Sequence, residues 1–213
     1  MKLFSLFCFI AICLNASAQS EGKVKYTSDF QFKDGIYLKF KDFKNNNPVT
    51  PSEIISTVSR DDPSFYRKLF NTRSFRIFNK EGKSISVFTE DVFGIAVDGE
   101  PFLMFGGRFR KIMVLGMLSY FAPGAGEPEI QPRFGDAEGG LRQPGESFRQ
   151  VIFHFETGEF NNLDEESVAH FISDAPKLYD EFTALKRKEQ RKQMYSYIQK
   201  YNKANPIYIP LRK

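Results

Sequence analysis

Between residues 75 and 121 short apolar segments alternate with turn-forming residues, and that rhythm leaves little choice but antiparallel hairpins. Phe75-Arg76-Ile77-Phe78 and Ser84-Ile85-Ser86-Val87-Phe88 flank Asn79-Lys80-Glu81-Gly82-Lys83. Val92 to Val97 and Phe102 to Phe105 flank Asp98-Gly99-Glu100-Pro101. Arg108 to Met113 follows Gly106-Gly107, and Leu115 to Phe121 comes directly after. Connections this short join only antiparallel neighbours. Four or five such strands in succession make a meander, and its apolar face needs a cover.

The flanking sequence supplies candidates for that cover. Lys23 to Thr27 alternates as a strand does, and Ile36-Tyr37-Leu38 follows an Asp34-Gly35 turn. Phe40 and Phe43 sit three apart, as on a short helix ending at Asn45-Asn46-Asn47-Pro48, and Ile54, Ile55 and Val58 form a short strand or turn. Val151 to Phe155 is a strand closed by Thr157-Gly158-Glu159. Asn162 or Asp164 then caps a helix whose acidic first turn suits the positive end of the helix dipole. Val168, Phe171 and Ile172 give it an apolar stripe. Pro176 opens a second helix, striped by Leu178, Phe182 and Leu185 and continued by Met194, Ile198 and Tyr201 to Asn205-Pro206. Ile207-Tyr208-Ile209 is a last edge strand or an extended tail. The predicted fold is α+β: an antiparallel, strongly twisted sheet or partly closed barrel of short strands, with C-terminal helices packed against it. One domain covers residues 19–213, being strand-rich over 19–122, a Gly/Pro-rich loop over 123–147, and a strand followed by helices over 148–213.

The first 18 residues stand apart. Lys2 precedes an apolar run from Leu3 to Leu14, and Ala16-Ser17-Ala18 has the small-x-small pattern of a signal-peptidase site, placing cleavage between Ala18 and Gln19. Twelve apolar residues are too short to span about 30 Å of hydrocarbon as a helix, and the bulky Ile12 before Cys13 argues against lipoprotein anchoring. The expected location is therefore periplasmic or secreted, with no transmembrane segment in the mature chain. Cys8 and Cys13 are the two cysteines of the 213-residue chain, and both lie in the leader. The mature chain then has no thiol, which removes disulfide scaffolds, zinc-thiolate sites and cysteine nucleophiles together.

Charge is segregated. Residues 123–174 hold eleven acidic and three basic side chains, whereas 175–213 hold ten basic and three acidic. Lys186, Arg187, Lys188, Arg191 and Lys192 form a basic block. It fits a solvated helix face better than an anionic-surface patch, because export separates the protein from nucleic acid and no aromatic-interleaved motif accompanies the block.

Motifs that carry chemistry are missing. Glu81-Gly82-Lys83-Ser84 imitates the end of a phosphate-binding loop, but position 77 is isoleucine where that loop needs glycine. His154 and His170 lie on different elements without metal-ligand spacing, and no metal or cofactor is expected. No Gly-x-Ser-x-Gly elbow exists. The chain has 24 Phe and no Trp. Most of the Phe lie in predicted strands and stripes and read as core, with Phe65, Phe70 and Phe134 in irregular stretches as candidates for exposed contacts.

Three stretches resemble a group of uncharacterised exported proteins of Bacteroidota. They are Asp34-Gly35-Ile36-Tyr37-Leu38 running into Phe40-x-x-Phe43-Lys44-Asn45-Asn46 and Pro48, then Val92 to Phe102, and last Tyr201-Asn202-Lys203-Ala204-Asn205-Pro206. The resemblance implies export and architecture and carries no activity. The expected function is a non-enzymatic envelope or secreted binding module that meets an unknown protein or envelope ligand through a sheet edge or the 123–147 loop. The alternative is a small cysteine-free, metal-independent hydrolase acting on envelope material.

Overall fold

The computed structural model describes residues 22–121 and 150–211. The leader with its Ala18/Gln19 junction, the 123–147 segment and Phe134 lie outside the described residues. Within them the chain is α+β, with three antiparallel sheets and five α-helices. Strand β1 (Lys23–Lys25) pairs with β12 (Tyr208–Pro210). The main sheet comprises β2 (Gly35–Tyr37), β6 (Gly94–Val97), β7 (Glu100–Phe105), β8 (Arg108–Val114), β9 (Leu118–Phe121), β10 (Val151–His154) and β11 (Phe160–Asn162). Its order is β11-β10-β9-β8-β7-β6-β2. A small sheet runs β3 (Ile54–Ile55), β4 (Ser74–Phe78), β5 (Ser84–Phe88).

The expected meander is thus divided. Strands β6 to β9 follow one another as predicted, but the hairpin of β4 and β5 belongs to a different sheet. The cause is a 3-10 turn at Thr89–Asp91. Buried Thr89 donates its amide to the Arg73 carbonyl (3.0 Å) and its hydroxyl to the Thr72 carbonyl (2.8 Å). The chain is tied back to the start of β4 and leaves to pair with β2 and β7 rather than with β5.

Within the meander the turns follow the residues. Asp98 and Gly99 have φ of 53° and 75°, and Gly106 and Gly107 have 60° and 71°. Positive φ at both central residues makes the turn whose twist matches that of the flanking strands.

Both faces of the main sheet are buried, which explains why its strands are apolar in runs rather than in strict alternation. One face gathers Tyr37, Ala96, Leu103, Ile112, Phe121, Val151 and Phe153 with Phe32, Phe43, Phe155, Ile207 and Ile209. Helix α1 (Phe40–Lys44) and the β1–β12 ribbon contribute to that cluster. Phe43 is its hub, stacked on Phe32 (5.1 Å) and edge-on to Tyr37, Phe153 and Phe155 (5.5–6.4 Å). The opposite face splits. Ile36, Ile95, Phe102 and Phe109 meet Ile54, Phe75 and Ile77 of the small sheet and helix α2 (Phe65–Phe70). Leu118 and Ile152 meet helices α3 (Glu165–Phe171), α4 (Pro176–Thr183) and α5 (Arg187–Ala204). The C-terminal helices therefore cover only the β9–β10 end.

Two sequence expectations need correction. Phe65 and Phe70 are 3% and 0% exposed, so they are core residues of α2 and not surface contacts. The second C-terminal helix is two helices: α4 ends at Thr183, and α5 starts at Arg187 after an extended Lys186. The break allows α5 to pack against both α3 and α4. Asn202 of α5 then accepts from the Leu118 amide (2.7 Å) and donates to the Leu118 carbonyl (2.8 Å), closing the start of β9 as a neighbouring strand would. Gly116 leaves room beside it, because a side chain there would have to displace the Asn202 amide.

Candidate functional site

Among the described residues, three places carry polar or exposed groups with functional potential. The first lies where β10 turns into β11. Asp164 caps α3 by accepting from the Ser167 amide (2.8 Å), which brings the start of α3 beside β11. An open depression of about 300 Å³ results, lined by Glu159, Asn161, Asp164, Glu166, Ser167 and His170. His170 faces Glu159 across 3.9 Å. The fold also brings the two histidines to one aromatic ring: His154 stacks on Phe171 at 5.4 Å and His170 lies at 5.2 Å from it. Thr157 donates its amide to His154 Nδ1 (3.3 Å), and its hydroxyl lies 3.1 Å from the same nitrogen. Burial pushes the His154 imidazole below its ordinary range, against the pull of Asp174, Glu156 and Glu159. A neutral ring is a base, so Thr157 and His154 form a hydroxyl–imidazole pair. Among the described residues, no three His, Cys, Asp or Glu are grouped to hold a metal.

The second place is the basic block. Arg191 reaches Glu165 through both Nε (3.0 Å) and Nη2 (2.8 Å), and Arg187 approaches the same carboxylate at 3.6 Å. Lys192 pairs with Glu189. Glu165 is buried at the first turn of α3, and its own main-chain amide followed by Arg191 holds its carboxyl below the usual range. Two of the block's cations thus clamp α5 to α3. That clamp accounts for them without an anionic partner.

The third place is the outer edge of β5. An edge strand presents unpaired amides and carbonyls, and proteins blunt such edges with charge, proline, brevity or a covering segment. The main sheet's edges are blunted. At β2, Ile36 exchanges hydrogen bonds with Val49 (2.9 and 2.8 Å). At β11 the edge is three residues long, two of them asparagine, and it runs directly into the α3 cap. Among the described residues, strand β5 has none of these devices. Ser84-Ile85-Ser86-Val87-Phe88 is uncharged and proline-free, and of the described strands it pairs with β4 alone. Among the described residues no backbone hydrogen bond beyond the β4 ladder engages it. Ile85 is 41% exposed and Phe88 50%, and Phe78 on β4 is 46% exposed. The pairs Phe78–Ser84 and Ser74–Phe88 place both phenylalanines on the outward face, with Arg76 and Ser86 between them. Arg76 donates to the Ser84 hydroxyl (2.9 Å).

The hairpin strands were readable from the sequence, but the open edge was not. The signal that could have shown it is the serine alternation of β5, since serine is a poor filler for a strand enclosed on both sides. Thr157 was read only as a turn residue, because its partner on the neighbouring strand is revealed by side-chain geometry alone. Among the described residues no helix is long and apolar enough to cross a membrane. No known protein family matches the chain, and no curated protein or solved structure is similar to it.

Proposed function

We propose that this chain is a non-enzymatic binding module of the cell envelope or its exterior, which recruits an extended strand by adding it to the free edge of β5. The carrying observation is the contrast between closed edges everywhere on the main sheet and an open, uncharged, five-residue edge on the small one. Main-chain hydrogen bonds along β5 supply affinity, and Ile85, Val87 and Phe88 supply selectivity for apolar side chains. The rigid support is the main sheet, read here as strongly twisted and short of a closed barrel. A register shift between Ile112 and Val114 supports that reading, since bulges increase twist. Export follows from the Lys2-to-Ala18 leader pattern, and the partner is a protein or envelope ligand. The test is ¹⁵N NMR of the protein titrated with uncharged octapeptides of alternating Val and Thr. Amide shifts confined to residues 84–88 are expected, and Ser86→Pro removes them. Shifts spread elsewhere or absent in every peptide would overturn it.

One observation favours a hydrolase instead. The Thr157–His154 pair lies on the same turn as Glu159, which lines the acidic depression, and Thr157 is exposed. That turn has a complete local explanation, however, because the Thr157 hydroxyl also accepts from the Glu159 amide (3.3 Å). Hydrolysis of nitrophenyl esters or glycosides that is lost in both Thr157→Val and His154→Gln would establish the enzyme.

A further inference from the structure

The free edge of β5 is self-complementary, and we propose that its occupant is the β5 strand of a second copy, paired antiparallel about Ser86. This rests on the edge-binding reading above. Three observations point to a second copy.

The first is apolar continuity. Ile77 of β4 lies opposite Ile85 of β5, and Phe75 lies opposite Val87, on the side of the small sheet that faces the core. Centring a two-fold on Ser86 sets Ile85 of one copy opposite Val87 of the other. Each inner row then runs Ile77, Ile85, partner Val87, partner Phe75, an unbroken apolar line between two buried cores. Ile85, 41% exposed in one copy, becomes its interior.

The second is the outward face. Ser84 pairs with Phe78 within the hairpin, and the same two-fold puts the partner copy's Phe88 on the other side of Ser84. The small serine leaves room for two rings across strands about 4.8 Å apart. The exposed Phe88 of each copy gains a lateral neighbour on the outward face, and the central row is serine against serine.

The third is charge polarity. Lys80 and Lys83 precede β5 with Glu81 between them, which leaves that end net basic, and Glu90 and Asp91 follow it, all five exposed. No ion pair among the described residues uses any of them. Antiparallel pairing lays the basic end of each strand against the acidic end of the other, twice over. Parallel pairing would set like ends together, so direction is selected as well as partner. The product is an isologous dimer with a continuous six-strand sheet. One strand pair is a small interface, so the dimer should be weak and concentration-dependent.

Sedimentation velocity of the purified protein from about 10 µM to about 1 mM tests this against the monomer–dimer range of a small interface. A reversible dimer that weakens with added salt is expected. Ile85→Lys, at a half-exposed position, should leave the fold intact by circular dichroism and abolish the dimer. The decisive set reverses charges. Lys80→Glu with Lys83→Glu should weaken association about tenfold, as should Glu90→Lys with Asp91→Lys. Combining all four restores complementarity and should restore the dimer. Failure of the combined variant to recover, with the fold intact, would overturn the antiparallel pairing. A monomer at about 1 mM whose residues 84–88 still respond to the alternating peptides would overturn the second copy and leave the edge reading standing. A monomer with no such response would overturn both.

Discussion

The two edges of the main sheet and the outer edge of the small one solve the same physical problem in opposite ways. At β2 the chain folds back so that Val49 satisfies Ile36, and at β11 brevity and asparagines limit what can be added. Strand β5 is laddered to β4 on one side, and among the described residues its other side, with exposed Ser84, Ile85, Ser86 and Phe88, has no strand beside it. The main sheet has apolar side chains packed on both faces and its edges are closed. The small sheet is buried on one face and open at its edge, which is the arrangement of a surface that meets something. On the proposed reading, rigidity and reactivity toward partners belong to different sheets.

If that division is right, substitutions in the two sheets should differ in kind. The largest effect belongs to Phe43, fully buried against four or more rings: Phe43→Ala should cost about 3–5 kcal/mol in urea unfolding. Phe88→Ala, at 50% exposure, should change stability by less than about 0.5 kcal/mol while weakening self-association. Equal losses at the two positions would dissolve the comparison.

Next comes Asn202→Ala. It removes both hydrogen bonds to the backbone of buried Leu118 and should cost about 2 kcal/mol, with amide exchange accelerated at Leu118. Unchanged exchange there would mean that Asn202 does not close β9. Glu165→Gln should cost about 1 kcal/mol, since the Arg191 guanidinium it holds is largely exposed and solvent screens the loss. The same substitution should leave self-association untouched, because the clamp lies on the helices and not on the small sheet.

The smallest effect is pH-dependent. Burial lowers the His154 pKa, so the folded protein binds fewer protons than the unfolded chain just below the ordinary histidine value. Stability is therefore full above about pH 6.5 and declines as the pH falls through the window between the unfolded and folded values. The urea midpoint should drop between pH 7.5 and 5.5, and His154→Phe should flatten the part due to that ring. An equal drop in the variant would assign the effect to other groups.

Much of this molecule was legible in its residues where the deciding contacts are close in sequence. Asp98-Gly99 and Gly106-Gly107 specify their turns through backbone conformations that few other residues tolerate, and the strands beside them follow. Asn162 and Asp164 are both cap candidates in the sequence, and the structure selects Asp164, whose carboxylate reaches an amide three residues on. Helix α2 was missed because six residues are too few for a helical period to emerge, and with it the burial of Phe65 and Phe70. Strand β11 was missed because Phe160-Asn161-Asn162 has poor strand propensity, and it forms because β10 offers it a ladder. The break between α4 and α5 has no glycine or proline to mark it, and it follows from packing against α3.

The candidate edge divides along the same line. The five residues of β5, their hairpin partner and the charged flanks Lys83 and Glu90 were determined by the sequence alone, through spacing and local turn chemistry. That β5 faces solvent was decided by the tertiary structure. Buried Thr89 ties the chain back to Thr72 and Arg73, so the next strand joins β2 and β7 and leaves β5 with one neighbour instead of two. Local hydrogen bonding can specify a strand, but only the competition among all strands for partners specifies which edge is left open.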